Sequence, residues 1–197
     1  MHFETGNIYH IYNMGNNSQK VFFTDENYLF FLRKIRNEIF CEILAYCLMP
    51  NHFHLMILAN KLSVDLQSDS RMQILTRKLG NLTSSYSQAL NKQQQMKGSI
   101  FRQKTKAKNL SQFITYPNLI HNYLLTCFFY IHQNPLTSGL VDRLEDWKYS
   151  SYLDFAGLRS GTLCNIAQAY NILNIDQSTF IHSAPKPTHT DELKHIW

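Results

Sequence analysis

The chain has 197 residues, of which 44% are hydrophobic and 17% charged, and this composition predicts one globular domain rather than a disordered tail. No apolar run reaches the roughly 18–20 residues of a membrane span, and the first residues lack the basic-then-apolar pattern of a secretory signal. With 4 cysteines and no Cys-x-x-Cys pair, we expect a cytoplasmic protein with reduced thiols and no membrane partner.

Hydrophobic periodicity and turn residues predict the elements in the order β-α-β-β-α-β, followed by a further helix. The strands are predicted over 7–13, 41–49, 52–58 and 100–108, and the residues 61–70 are predicted to be a loop. The helices are predicted to run from a cap at Thr24 or Asp25 to Ile39, from Met72 to Leu90, and over 119–133, where Pro135 stops the last one.

This order is typical of the ferredoxin-like split β-α-β plan, in which helices back a four-stranded antiparallel sheet. The sequence therefore predicts an α+β fold. We assign residues 1–155, including the last apolar helix, to this domain, and residues 156–197 to a C-terminal helical extension with a loose tail.

The charges are unevenly distributed. The net charge is +5, and no Asp or Glu occurs between Arg71 and Val141, so that all 14 acidic residues lie outside this span. A long basic segment without acids favours an anionic partner, and its Gln, Asn, Ser and Tyr residues suit phosphate and base contacts. Nucleic acid is the leading expectation, although a solvated basic surface without a partner gives the same pattern.

One motif with chemical potential is His52-Phe53-His54 in the third predicted strand. Alternate residues of a strand point to the same face, so the two imidazoles lie side by side while Phe53 turns into the core. Such a pair can provide two ligands of a divalent metal, but two polar residues on the wet face of a strand are the commoner explanation of a bare His-x-His.

A second motif runs from Tyr130 to Pro135 in the last apolar helix. Residues four apart share a helix face, so Tyr130 and Asn134 look the same way while His132 points elsewhere. The phenol could act as a nucleophile and the amide oxygen as a metal ligand. Taken alone, however, a residue like Tyr130 is more often an amphipathic core residue, and an Asn before a proline, like Asn134, is more often just a helix C-terminus.

Together these motifs resemble a known family. The segment 46–55 resembles the histidine–hydrophobe–histidine (HUH) core of the single-tyrosine transposases, and the stretch 130–141 is similar to their tyrosine helix. The segment 147–152 is similar to a tryptophan–serine–serine element of the branch associated with repetitive extragenic palindromes (REP), and the stretches 9–15 and 98–104 also resemble family members.

The resemblance implies a transposase that cuts single-stranded DNA beside a hairpin, leaving a 5′-phosphotyrosine and a free 3′-hydroxyl. By position, Tyr130 is implied to be the catalytic nucleophile, while His52, His54 and Asn134 are implied to be ligands of Mg²⁺ or Mn²⁺. Mn²⁺ suits imidazole ligands better than Mg²⁺ does. Both a monomer and a homodimer, in which the helix reaches the partner's histidines, stay open.

Basic residues around the fourth predicted strand are the candidate DNA contacts, because alternating cations on a strand can follow a phosphate backbone. Arg102, Lys104 and Lys106 alternate on this strand, and Lys97 and Lys108 flank them. Two alternatives are weighed beside the transposase: a domesticated or inactive protein that binds hairpin DNA without cutting it, and a metal-dependent hydrolase of small phosphodiesters, which would not need Tyr130.

Overall fold

The computed structural model describes residues 1–66, 71–111 and 117–186, with the backbone alone for 117–122. The strands are β1 (Ile8–Met14), β2 (Glu42–Met49), β3 (His52–Leu58) and β4 (Lys106–Asn109). The helices within the described ranges are α1 (Asp25–Glu38), α2 (Lys61–Val64), α3 (Ile74–Gln94), α4 (Pro117–Thr137), α5 (Tyr152–Phe155), α6 (Ile166–Leu173) and α7 (Gln177–Ser183).

The strands form one antiparallel sheet in the order β2-β3-β1-β4, which is the predicted split β-α-β topology. Helices α1 and α3 pack together on one face of the sheet, and α4 packs against β2 and β3 on the other. The α+β prediction is therefore confirmed, and each sheet face has its own apolar core. None of the helices in the described ranges combines the length and the apolar character of a membrane span.

The strand predicted over 100–108 is much shorter than expected. Gly15 bridges Phe101 and Tyr12 pairs with Lys106, so two residues of the first strand face four residues of the other chain segment. The extra residues loop out, and the side chain of Asn13 holds them by donating to the Arg102 carbonyl at 3.1 Å and to Thr105 Oγ1 at 3.0 Å. Only Lys106–Asn109 continue the sheet as β4.

The sequence predicts that Pro135 stops helix α4, but the helix runs through this proline to Thr137. A proline inside a helix removes the hydrogen bond to the carbonyl four residues earlier, here that of Ile131, and its ring crowds the same carbonyl, yet the helix continues for two more residues. The carbonyls of Asn134 and Pro135 are satisfied by the amides of Ser138 and Leu140, at 3.0 Å each. As a result Asn134 is a helical residue, one turn after Tyr130.

The predicted loop over 61–70 contains the short helix α2, which Asn60 caps by accepting a hydrogen bond from the Ser63 amide at 2.8 Å. Residues 67–70 lie outside the described part of the chain. Near the other end, Ala184 is buried, and Gln133 of α4 donates to its carbonyl at 2.9 Å. The rest of the predicted loose tail, from residue 187 onward, also lies outside the described residues.

A glycine at the end of β1 gives a first testable prediction. A Cβ at Gly15 would stand 2.2 Å from the Gln19 carbonyl oxygen and 2.9 Å from Val21 Cγ1. Gly15→Ala is therefore expected to lower the free energy of unfolding by about 1–3 kcal/mol, the usual cost of overpacking. In the matched control Gly80→Ala, on the exposed side of α3, nothing lies within 4 Å and the change is expected to stabilise by up to about 1 kcal/mol. Urea unfolding of both variants measures this, and equal effects would contradict it.

Candidate active site

Both histidines of the His-x-His motif lie on the sheet face that α4 covers. Their ring centroids are 4.9 Å apart, His54 is fully buried, and His52 is half-buried. Phe53, between them, points to the opposite face and packs against Phe31 of α1 at 5.1 Å between ring centroids. The alternation therefore places the imidazoles as predicted, although the face is covered by a helix rather than open to water.

Helix α4 brings Tyr130 and Asn134 to these histidines. The ring of Tyr130 lies edge-on to that of His54, with centroids 5.5 Å apart. The Asn134 side chain stands beside both His52 and the Tyr130 phenol and shifts the pKa of each, and its Nδ2 donates to the Tyr130 carbonyl at 2.8 Å. All four residues predicted for the catalytic and metal roles thus meet in one chain, at the centre of the sheet.

Burial controls the protonation of the site. Burial lowers the pKa of His52, and the hydrogen bond of Asn134 partly offsets this shift. Burial also lowers the pKa of His54 well below the ordinary value, and the nearby His10 and His52 add to that effect. Both imidazoles are therefore neutral near pH 7, which is the form that binds metals. Burial likewise raises the pKa of Tyr130, despite the opposing hydrogen bond from Asn134, so its phenol stays protonated.

The residues fit a divalent ion. Among the residues that the structure describes, no group of three or more His, Cys, Asp or Glu side chains is placed to hold a metal, and the candidate set is two imidazoles with the Asn134 amide. Asn51 Oδ1 lies 2.6 Å from Nδ1 of His52, and because a carbonyl oxygen only accepts, Nδ1 carries the proton. Nε2 of His52 is then the nitrogen with the lone pair for a metal.

The structure places two of the five predicted DNA contacts on this face. Lys106 and Lys108 pair with Tyr12 and His10 of β1, and directly opposed residues share a sheet face, so both lysines stand on the histidine side. The others lie in loops rather than on a strand, and all three are exposed: Lys97, Arg102 and Lys104.

The loop that carries Arg102 runs beside the end of β1 that pairs with His52. Its Arg102 amide donates to the carbonyl of Met14 at 2.8 Å, and Met14 pairs with His52. The alternation predicted for Arg102, Lys104 and Lys106 on one strand is therefore wrong, because Asn13 holds the preceding residues out of the sheet. The loop nonetheless keeps Arg102 close to the end of the sheet where His52 stands.

Two residues of β1 belong to the site although the sequence did not single them out. His10 Nε2 lies 2.9 Å from His54 Nδ1, and the ring of Tyr12 stacks on that of His10 at 4.9 Å. Their alternation in 7–13 indicates a shared face. Which residues of β3 they contact depends on the β1–β3 register, and no local sequence pattern shows that register.

His132 points away from the site, as predicted, and anchors α4 to the sheet. Its Nδ1 donates to the Phe128 carbonyl at 2.9 Å, and its Nε2 lies 2.8 Å from Ser151 Oγ. The amide of Ser151 donates to the Tyr46 carbonyl of β2 at 3.0 Å, and the Tyr46 amide donates to Ser151 Oγ at 3.0 Å. The serine thus joins the tyrosine helix to the edge strand.

His132 gives a prediction on pH dependence. Its complete burial lowers its pKa from 6.5 to about 3, so between these values the unfolded chain binds a proton that the folded chain does not. The free energy of unfolding should therefore fall as the pH drops below about 6.5, by about 2–3 kcal/mol at about pH 4.5.

The measurement is urea unfolding of the wild type and His132→Gln near pH 7 and near pH 4.5. The variant is expected to be less stable near neutral pH but to lose about 2–3 kcal/mol less on acidification. His52 and His54 titrate in both proteins, so their contributions cancel in the comparison. The same loss on acidification in both proteins would contradict the prediction.

The comparisons with known proteins agree with this geometry. The family model described as "Transposase IS200 like" matches residues 5–116, which include both histidines and the basic loop but end before α4. A solved structure of a REP-associated tyrosine transposase bound to a REP hairpin has a similar fold, with a TM-score of 0.55, 17% sequence identity, and coverage of 84% of this chain and 86% of that chain. None of the curated proteins compared matches the chain.

Proposed function

Because the chain belongs to the IS200-like transposase family, we propose that it cleaves and rejoins single-stranded DNA beside hairpin sequences, with Tyr130 as the nucleophile. One observation carries the proposal: the Tyr130 ring lies 5.5 Å from that of His54, and the Asn134 side chain stands beside both Tyr130 and His52. A tyrosine beside a set of metal ligands suits covalent attack on a phosphodiester that the metal polarises.

In the proposed step the Tyr130 oxygen attacks phosphorus while the bond from phosphorus to the 3′-oxygen breaks. The phenol gives up its proton, and the departing 3′-oxygen takes one up, which leaves a 5′-phosphotyrosine and a free 3′-hydroxyl. The new ester conserves the energy of the broken bond, so a 3′-hydroxyl can reverse the step and join strands without ATP. Asn134 favours the attack, since its hydrogen bond opposes the burial that raises the pKa of Tyr130.

His52, His54 and Asn134 are proposed to hold Mg²⁺ or Mn²⁺. When bound, the ion polarises the phosphate and offsets the negative charge that develops on it. The neutral imidazoles of the buried histidines suit Mn²⁺ better than Mg²⁺. Asn51 orients the ring of His52 through its contact with Nδ1.

The DNA strand is proposed to run along the basic residues at the β4 edge. Lys106 and Lys108 stand on the histidine face, and the exposed Lys97, Arg102 and Lys104 extend the positive charge from it. The solved neighbour of similar fold is bound to a REP hairpin, which supports a hairpin as the partner of this chain. The contacts of Tyr130 with histidines of its own chain support a site that one chain completes, built in the proposed domain 1–155. Ala184, in the described part of the proposed extension 156–197, braces α4 through the hydrogen bond from Gln133.

A covalent-trapping experiment tests the proposal. The protein is incubated with Mn²⁺ and labelled single-stranded fragments from the DNA that flanks its own gene, with hairpins included, and is resolved under denaturing conditions. A DNA-shifted protein band that needs the metal and fails to form in excess EDTA is expected. Hairpin retention on a filter without any covalent band would instead favour a binding protein that has lost cleavage, and turnover without a band would favour a hydrolase.

A further inference from the structure

His10 and His54 are joined by a buried hydrogen bond between imidazoles. His10 Nε2 lies 2.9 Å from His54 Nδ1, the two rings are nearly parallel with centroids 5.0 Å apart, and neither side chain reaches the surface. In the sheet, His10 pairs with Met56 and His54 pairs with Tyr12, so the two histidines are diagonal neighbours on β1 and β3. Their contact crosses the strands at the centre of the candidate site.

A hydrogen bond between two neutral imidazoles requires one ring to donate and the other to accept. Since Nδ1 of His54 is engaged with His10, only Nε2 of His54 can bind a cation, and it must then present its lone pair. The proton of His54 has to sit on Nδ1 and be donated to Nε2 of His10. The opposite arrangement would place the proton on the nitrogen that the metal needs.

We propose that His10 is a positioning residue that holds His54 in the tautomer protonated on Nδ1, so that Nε2 can bind the divalent ion. This inference rests on the metal role in the proposed function and extends it to a residue outside the ligand set. Partners behind ligating histidines commonly fix the tautomer and the ring orientation in this way. On the other ligand the corresponding partner is Asn51, whose Oδ1 engages His52 Nδ1.

The packing around His10 supports a fixed orientation. The Tyr12 ring stacks on it at 4.9 Å between centroids, and the Tyr130 ring meets it edge-on at 6.4 Å. The imidazole is therefore held between two phenol rings with its Nε2 directed at His54. His10 itself is not placed as a metal ligand, because its Nε2, which faces the site, is already hydrogen-bonded to His54.

The test measures Mn²⁺ binding to the DNA-free protein by titration calorimetry for the wild type, His10→Phe and His10→Gln. The phenyl ring keeps the packing but cannot accept a hydrogen bond, whereas the Gln amide oxygen can. We expect His10→Phe to weaken Mn²⁺ binding about 10–100-fold and His10→Gln to restore most of the affinity. The control His182→Phe, at an exposed histidine of α7, is expected to leave binding unchanged.

The cleavage assay gives a second readout. The His10→Phe defect should be overcome by raising the Mn²⁺ concentration, with a nearly unchanged rate at saturation. Equal Mn²⁺ affinity of His10→Phe and the wild type would overturn the role of His10 alone, as would a His10→Gln variant no better than His10→Phe. A wild type that does not bind Mn²⁺ would overturn both this inference and the metal role in the proposed function.

Nitrogen-15 NMR of the wild-type histidines keeps the inference testable should the variants fail to fold. The His54 ring is expected to carry its proton on Nδ1 in the metal-free protein, with the hydrogen bond to His10 visible as coupling between the two rings. A proton on Nε2 of His54 would overturn the proposal.

Discussion

Tyr130→Phe is expected to abolish the covalent DNA adduct while leaving hairpin binding close to that of the wild type. The phenyl ring fills the same space beside His54 but has no oxygen to attack phosphorus. Removal of a covalent nucleophile commonly costs an enzyme several orders of magnitude, so we expect adduct formation to fall by at least about a thousandfold. Denaturing gels measure the adduct, and filter retention of labelled hairpins measures binding.

Tyr123→Phe is the matched control on the same helix. Tyr123 lies two turns before Tyr130 and stands beside Lys108, whose Nζ is 5.4 Å from its ring centroid, so the phenyl ring preserves that contact. This variant should form the adduct at nearly the wild-type rate. If the adduct persisted in Tyr130→Phe, the nucleophile would be another phenol, and Tyr12, with its ring 6.1 Å from that of His54, would be the next to replace.

The comparison of Tyr130 with His10 shows how much of the site is predictable from the sequence. His52 and His54 share a face because strands repeat every two residues, and Tyr130 and Asn134 share one because helices repeat about every four. Such local periods can be read directly from the chain. The contact of His10 with His54 depends on the register of two strands 44 positions apart, which no local period encodes.

The two wrong boundaries have similar physical causes. Asn13 interrupts the strand predicted over 100–108 by bonding residues 102 and 105, which are distant in sequence. Pro135 is a helix breaker by local rules, but α4, which packs against the sheet, continues two residues beyond it, and the amides of Ser138 and Leu140 then satisfy the carbonyls of Asn134 and Pro135. In both cases a tertiary or positional context overrides a local preference.

The segment after α4 contains an ion pair that no local sequence pattern predicts and that should dominate the stability of this region. The side chain of Asp154 is only 2% exposed, and its carboxylate accepts hydrogen bonds from Arg159 Nε at 2.6 Å and from Arg159 Nη2 at 2.7 Å. The same guanidinium also donates to the Tyr46 hydroxyl at 2.9 Å and to the Ser150 carbonyl at 2.8 Å. One planar group thus joins the segment to β2.

Arg159→Ala is expected to lower the free energy of unfolding by about 3–5 kcal/mol, because it leaves the carboxylate of Asp154 buried without its counter-charge. Arg159→Lys should recover only part of this loss, since a single ammonium cannot reach the same set of acceptors. Lys148→Ala breaks the ion pair between Lys148 and Asp25, and both of these side chains are mostly exposed. This variant should therefore lower the free energy of unfolding much less. Urea unfolding of the three variants measures these differences.

The double variant Asp154→Asn with Arg159→Ala distinguishes the contribution of the ion pair to stability from that of the other contacts of Arg159. If the cost arises from an uncompensated buried charge, neutralising Asp154 should make the loss of Arg159 milder, and the two effects should fall short of additivity. Fully additive losses would show that Arg159 acts mainly through Tyr46 and Ser150. Ser151, in the same segment, contacts both Tyr46 of β2 and His132 of α4. Because Arg159→Ala weakens the attachment of this segment, it should also loosen α4. We therefore expect Arg159→Ala to form the adduct more slowly, even at temperatures well below unfolding.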